Sequence, residues 1–357
     1  MIEIGVDIGG TFTDLAVYDA AADQMRFGKV LTTPDDPSRG VADALEAFDA
    51  NPAEAAAFVH GTTLAINTVI EHTGANTALI TTRGFRDILE IGRGNRPQSY
   101  NIYFKRFDPL VPRELRLEIT ERLNAQGEVL MPPKLEELAG IAATLEAHGV
   151  EAVAICLINA YRNPAHELTI AEALRRRWGG VISISSDLSR EFREYERTST
   201  TVVNAYVAPK LRRYLAGLES VLERKDFKGP FYVVESNAGI STAAKAKERA
   251  CFLMESGPVA GVIGSARVGE LLGCHNLIAF DMGGTTAKTC LVVDGIPPTT
   301  EDYYIGGYGQ GYVLQVPVLD MVEVGAGGGS IAWVDEVGGI HVGPRSAGAT
   351  PGPACYD

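Results

Sequence analysis

The sequence predicts an α/β protein of two related lobes, the second incomplete. Three observations carry that prediction. The chain opens on a strand–turn–strand unit, Ile4-Gly5-Val6-Asp7-Ile8-Gly9-Gly10-Thr11-Phe12-Thr13-Asp14-Leu15-Ala16-Val17-Tyr18. The plan recurs as Leu277-Ile278-Ala279-Phe280-Asp281-Met282-Gly283-Gly284-Thr285-Thr286-Ala287-Lys288-Thr289-Cys290-Leu291-Val292-Val293. Between the two, short apolar runs alternate with amphipathic stretches, the signature of strands covered by helices.

In the first unit, two apolar runs of strand length flank a polar turn. Consecutive glycines let the backbone reach φ > 0 and bring its amides close to one anion. Asp7, at the end of the first strand, is placed to hold hydrated Mg2+, which takes one or two carboxylates plus phosphate oxygens. A single Gly-Gly hairpin is as readily a purely structural turn. Met25 to Leu31 reads as a third strand, and Asp36-Pro37-Ser38 opens a helix to about Phe48. Three antiparallel strands and a helix are how a ribonuclease-H-like lobe begins. A short strand then runs through His60 into Gly61-Thr62-Thr63, where the threonines cap the next helix or, less expected, meet an anion. His60 is read equally as a buried imidazole or a ligand.

Ala78 to Thr82 is a strand. Arg93 and Arg96, in the following glycine-containing loop, are favoured as a pair reaching a phosphate or carboxylate. Gln98 to Arg113 reads as a lid or an inter-subunit surface, and Leu117 to Met131 as a hairpin. Helix and strand then alternate to Ser185, with His166 and Glu167 expected to cap a helix. Val202 to Leu222 is expected to be the long helix joining the lobes, divided as 1–190 and 191–357. Glu255 to Gly261 starts a helix of small residues, suited first to close packing and second to nucleotide approach.

Composition sets outer bounds. The chain has 357 residues, 46% hydrophobic and 22% charged, an ordinary globular balance. A net charge of −13 argues against a nucleic-acid surface. No apolar run reaches membrane-span length, and a cytoplasmic location is the default expectation. The five cysteines form no CxxC pair, which argues against a disulfide framework or a cysteine zinc site. GxxxxGK[ST], HExxH and GxSxG are all absent.

The repeated turn resembles the first and second phosphate motifs of the actin, sugar kinase and heat-shock ATPase superfamily. Within it, the wording of the chain is similar to the hydantoinase A and 5-oxoprolinase family, which includes ATP-binding subunits of acetone and acetophenone carboxylases. Asn159 to Glu167 and the Gly343 to Asp357 ending share that wording. The resemblance covers all of this chain and about half of a family member, so the sequence reads as a fragment.

The resemblance implies ATP and Mg2+ as cofactors and phosphoryl transfer as the chemistry. Gly9, Gly10, Gly283 and Gly284 are expected to bind phosphates through amides, with Thr11, Thr13, Thr285 and Thr286 beside them. Asp7 and Asp281 are expected to position Mg2+, or one of them to orient the acceptor, and Lys288 to neutralise developing charge. Gly327, Gly328 and Gly329 resemble the cluster that packs on adenosine. The implied activity is phosphorylation of a cyclic amide, of hydantoin or 5-oxoproline type, for ring opening with a hydantoinase B-type partner subunit that carries the metal. A carboxylase subunit acting on a ketone is the nearest alternative, and a non-catalytic ATP-binding scaffold the alternative of another class.

Overall fold

The computed structural model describes residues 1–33, 36–284, 286–309, 311–348 and 352–353. The N-terminal strands form as expected: β1 (Ile2–Ile8), β2 (Phe12–Asp19) and β3 (Gln24–Leu31) make an antiparallel meander. Burial alternates along β1 and β2, so one face of each strand, including Ile4, Val6, Leu15 and Val17, points into the core. Helix α1 (Pro37–Ala47) begins at Asp36, whose side chain accepts the Ser38 amide, with proline at its first position. Strand β4 (Ala55–Thr62) runs parallel to β1 and leads into α2 (Leu64–Ile70).

The next stretch builds a separate sheet. It comprises β5 (Thr77–Thr82), α3 (Ile88–Ile91), β6 (Arg116–Ile119), a small hairpin β7 (Arg122–Leu123) with β8 (Val129–Met131), α4 (Leu138–Ala147), β9 (Ala152–Cys156), α5 (Ala165–Arg175), β10 (Val181–Ile184) and α6 (Ser185–Leu188). The order β10-β9-β5-β6 is parallel throughout, and β5 and β9 are buried along their whole length. Sheets of this kind are covered on both faces, hence their unbroken apolar runs. The hairpin expected over Leu117 to Met131 is thus two pieces, with β6 an edge of the parallel sheet instead.

Helix α7 (Glu194–Arg224) is the expected long connector, and its buried side chains enter both major cores. Beyond it, β11 (Phe231–Val234) and β12 (Ile240–Thr242) precede α8 (Ala243–Glu248) and α9 (Ser256–Leu271). β11 lies parallel to β4, so the first sheet reads β12-β11-β4-β1-β2-β3. That sheet therefore draws strands from both sides of residue 190. The expected division into 1–190 and 191–357 cuts through one sheet, because local patterning does not show that 77–184 folds on its own sheet.

The second lobe holds the hairpin β13 (Leu277–Met282) with β14 (Ala287–Val292), then β15 (Thr299–Ile305), β16 (Tyr312–Leu319), β17 (Val322–Val324), β18 (Ser330–Val334) and β19 (Ile340–Ser346). β13, β14 and β17 form a three-stranded sheet with α9 on one face. Ile278, Phe280, Met282, Leu291 and Val293 are exposed on its strands and edge. Among the described residues no helix is long and apolar enough to cross a membrane.

His60 links the layers beneath the first turn. Its ring is fully buried, with Nδ1 3.0 Å from the Val6 carbonyl and Nε2 2.6 Å from the Tyr214 hydroxyl of α7. Burial pulls its pKa down to about 4, only partly offset by Val6, so it is a neutral core imidazole. Between about pH 6.5 and 4 the unfolded chain binds the proton and the folded chain does not, so stability falls as pH falls. The expected loss is about 3 kcal/mol. Denaturation across that range should show this component in the parent and lack it in His60→Gln.

Candidate nucleotide cleft

The two glycine turns have the same construction. In the first, the Gly9 amide donates to the Phe12 carbonyl at 2.9 Å; in the second, the Gly283 amide donates to the Thr286 carbonyl at 3.0 Å. Each bond closes its hairpin tip. Among the described residues no partner is found for the Gly10 and Thr11 amides, which lie at the tip of the first turn. The turns approach each other closely, since a Cβ on Gly284 would sit 2.9 Å from Thr11 Oγ1. Between them opens a cleft of about 380 Å³, lined by Asp7, Gly9, Gly10, Thr11, Asp281, Gly283, Gly284, Thr286 and Lys288 among others. Thr285 lies outside the described residues.

Asp7 sits in a cradle made of glycine. A Cβ on Gly61 would stand 2.5 Å from its Oδ1, and one on Gly257 would stand 2.6 Å from the same atom. Residue 7 is half-buried, yet Oδ1 itself is sealed and has no hydrogen-bond partner among the described residues. Across the hairpin Asp7 faces Asp14, whereas in the second turn Asp281 faces Lys288. Burial, then Asp14 and Asp281, push the Asp7 pKa up to about 7, with Lys29 working the other way. Lys29 itself pairs with Asp14 at 2.5 Å.

An orphaned carboxylate oxygen among further carboxylates and free amides suits a cation bound together with phosphate oxygens. Among the described residues no group of three or more His, Cys, Asp or Glu forms a metal cage. Mg2+ needs none, since one or two carboxylates, phosphate oxygens and water complete its octahedron.

Four expected residues stand differently. Thr13 is buried, and its hydroxyl lies 3.3 Å from that of Thr32, not on the cleft. Strand alternation is the cause, because Thr11 and Thr13 are separated by the hairpin's entry into β2 and Thr13 falls on the core face. Gly328 and Gly329 donate their amides to the carbonyls of Gly283 and Gly284, at 2.9 and 2.7 Å, and the Gly327 amide donates to Ser330 Oγ. Gly328 and Gly329 thus hold the second turn, while Gly327 closes a turn with Ser330, and none of the three is among the residues lining the cleft. Lys288 does line it, but its ammonium is held by Glu255 at 2.5 Å and lies 3.7 Å from Glu323.

The arginine loop is also occupied elsewhere. Arg93 forms a bidentate pair with Glu196, at 2.7 and 2.6 Å, and Arg96 donates to the Asn101 carbonyl. His166 and Glu167 do not cap their helix. His166 Nδ1 lies 2.6 Å from Glu121, and Glu167 accepts from the Leu157 and Ser186 amides and the Ser185 hydroxyl. Sequence reasoning missed Lys29, Asn67 and Gly61, and it ranked close packing first for Gly257. In fact Gly257 packs closely on a candidate cation ligand. The available signal was the Glu255-Ser256-Gly257-Pro258 start of α9, whose Ser256 hydroxyl accepts the Thr62 amide at 3.2 Å beside the cradle.

Comparison with known proteins now bears on this geometry. The model of the hydantoinase/oxoprolinase N-terminal region matches residues 3–178, and that of hydantoinase/oxoprolinase matches residues 197–357. The chain is 36% identical to the caprolactamase subunit alpha of Pseudomonas jessenii, over 99% of this chain and 52% of that one. It is 42% identical to an uncharacterized protein of Methanocaldococcus jannaschii, over 99% of this chain and 54% of that one. The solved ATP-dependent caprolactamase of Pseudomonas jessenii superposes with a TM-score of 0.83 at 33% identity, covering 99% of this chain and 52% of that one. The nucleotide-free acetone carboxylase structure gives a TM-score of 0.83 at 29% identity, covering 97% and 51%. The chain therefore spans about half the length of these relatives. Its fold is the two-lobed, actin-like ATPase architecture expected from the paired turns. The chain belongs to the hydantoinase/oxoprolinase family.

Proposed function

We propose that this chain is the ATP-binding part of an enzyme that phosphorylates the carbonyl oxygen of a cyclic amide, so that the ring can be opened. The observation that supports this reading most is the orphaned Asp7 Oδ1, in a glycine cradle between two matching turns. The Gly10 and Thr11 amides hold phosphate oxygens, and Asp7 with Asp281 holds the cation. A divalent cation held there would supply positive charge to offset that developing on the transferred phosphoryl group. The amide oxygen attacks the γ-phosphorus and the bond to the β-γ bridging oxygen breaks, leaving ADP and an O-phosphorylated imidate. The amide N–H proton is lost on phosphorylation. Water then adds to the imidate carbon, and the reprotonated nitrogen departs as the amine and leaves an acyl phosphate. A second water releases phosphate and the carboxylate, steps in which a hydantoinase B-type subunit takes part.

A carboxylase reading has its own support in the likeness to acetone carboxylase, which carboxylates a ketone in an ATP-dependent reaction. The two are separated by assaying the chain in its native assembly with Mg-ATP. The arms are 5-oxoproline, hydantoin, caprolactam, and acetone or acetophenone with bicarbonate. Phosphate release stimulated by a cyclic amide is the expected result. Stimulation only by a ketone with bicarbonate would replace this reading with the carboxylase one, and stimulation by none would leave a nucleotide-binding scaffold.

A further inference from the structure

A cavity of about 410 Å³ lies apart from the cleft and shares none of the residues lining it. One wall is a stripe on α7, where Tyr195, Ser199, Val202 and Val203 recur at helical spacing and so share one face. Leu89 and Leu110 add apolar surface. Another wall is the segment from 105 to 110, within the stretch expected to be a lid or an inter-subunit surface. Tyr312 pins it there. Its hydroxyl donates to the Asp108 carbonyl at 2.8 Å, and its ring meets that of Phe107 edge-on, with centroids 5.7 Å apart.

The polar groups on these walls are left with donors to spare. In the run Thr198-Ser199-Thr200-Thr201, the threonines return their hydroxyls to the carbonyls four residues back, at 2.6, 2.7 and 2.7 Å. Ser199 is only 4% exposed, yet its hydroxyl has no partner among the described residues. The Tyr195 hydroxyl has none either, and burial raises its pKa, so it keeps a proton to donate. Of the charged groups, Glu90 is answered by Arg116 at 3.0 Å. Arg106 donates only to uncharged acceptors, the Ile91 and Asn95 carbonyls and Asn95 Oδ1. Lys105 has no partner among the described residues, and neither does the Asp108 carboxylate. Two cations and two hydroxyl donors thus stand against one unpaired carboxylate.

We propose that this cavity is a ligand site, separate from the nucleotide cleft, for a small monocarboxylate with an apolar body. The carboxylate accepts from Ser199, Tyr195 and Lys105, donors that match an acceptor-only head. The body packs on Leu89, Leu110, Val202 and Val203, with Phe107 and Tyr312 beside it. Small-molecule sites have this make-up, mostly apolar walls with a few convergent polar groups. The site stands whether or not the cleft binds ATP.

The test is calorimetric titration of the full chain with benzoate and hexanoate, and with the neutral amides of the same bodies, benzamide and hexanamide. The parent is expected to bind an acid about tenfold tighter than its amide. Lys105→Gln is expected to weaken acid binding about tenfold and leave the amide unchanged. Ser199→Ala is expected to weaken the acid about fivefold, with thermal midpoints as the check on folding. Saturation with Mg2+ and a non-hydrolysable ATP analogue is expected to leave acid binding in place. Binding of neither acid, equal affinity for acid and amide, or acid binding indifferent to both variants would overturn the proposal. So would displacement of the acid by the analogue, which would put the acid in the cleft.

Discussion

Asp7→Asn is expected to make the ligand-free protein more stable at pH 8 while abolishing Mg-dependent ATP turnover. The folded environment raises the Asp7 pKa to about 7 from an ordinary 3.8, mainly by burial and then by Asp14 and Asp281. Between those values the folded chain binds a proton that the unfolded chain has released. Stability tied to this group is therefore present at low pH and is lost as pH rises to about 7. An asparagine cannot ionise, so its advantage over the parent should be small near pH 4 and reach about 2 to 4 kcal/mol above pH 7. Thermal midpoints of both proteins across that range, without nucleotide, read the effect directly. A carboxylate kept at such cost suits a cation partner, which makes the charged form favourable. Saturating Mg2+ and an ATP analogue should accordingly stabilise the parent more than Asp7→Asn. Unchanged turnover in the variant would reject the clamp.

The second large effect concerns Lys288. Its ammonium and the Glu255 carboxylate form a buried pair, and the Tyr303 hydroxyl donates to the other oxygen of Glu255. Burial raises the Glu255 pKa, while Lys288 and Tyr303 counter the shift. Removing the ammonium with Lys288→Met leaves an uncompensated carboxylate, which in buried pairs costs about 3–5 kcal/mol. The folded Glu255 pKa would then rise further, so the loss should be largest at high pH and shrink as pH falls and the carboxylate takes up a proton. The double variant Lys288→Met/Glu255→Gln should recover most of the loss, because no buried charge remains. Urea denaturation of the parent, Lys288→Met, Glu255→Gln and the double variant at pH 8 gives the coupling. If the single and double variants are equally unstable, the pair is not what holds this corner together.

Much of the cleft was legible because its parts are local. Asp7, Gly9 and Gly10 lie within four residues, and so do Asp281, Gly283 and Gly284; a hairpin tip needs little beyond its own sequence to form. Thr13 was misplaced because a turn and a strand start cannot be divided to the residue from composition alone. Gly328 and Gly329 show that glycine density marks close approach without naming what approaches. Here it is the backbone of the second turn. Arg93 illustrates the limit for charges, since its partner Glu196 is distant in sequence and equally suited to a solvated helix face.

By itself, the sequence determined that two alike strand–turn–strand units exist, and that apolar alternation would embed them in α/β lobes. Those properties follow from backbone sterics and side-chain period, which act over a few residues. Only the tertiary structure decided that β11 joins the first sheet, that 77–184 forms a sheet of its own, and that Gly61 and Gly257 close on Asp7. Those outcomes depend on burial and on charges brought together from far apart in the chain. Their energies come from desolvation, which a residue acquires only when the rest of the molecule has packed around it.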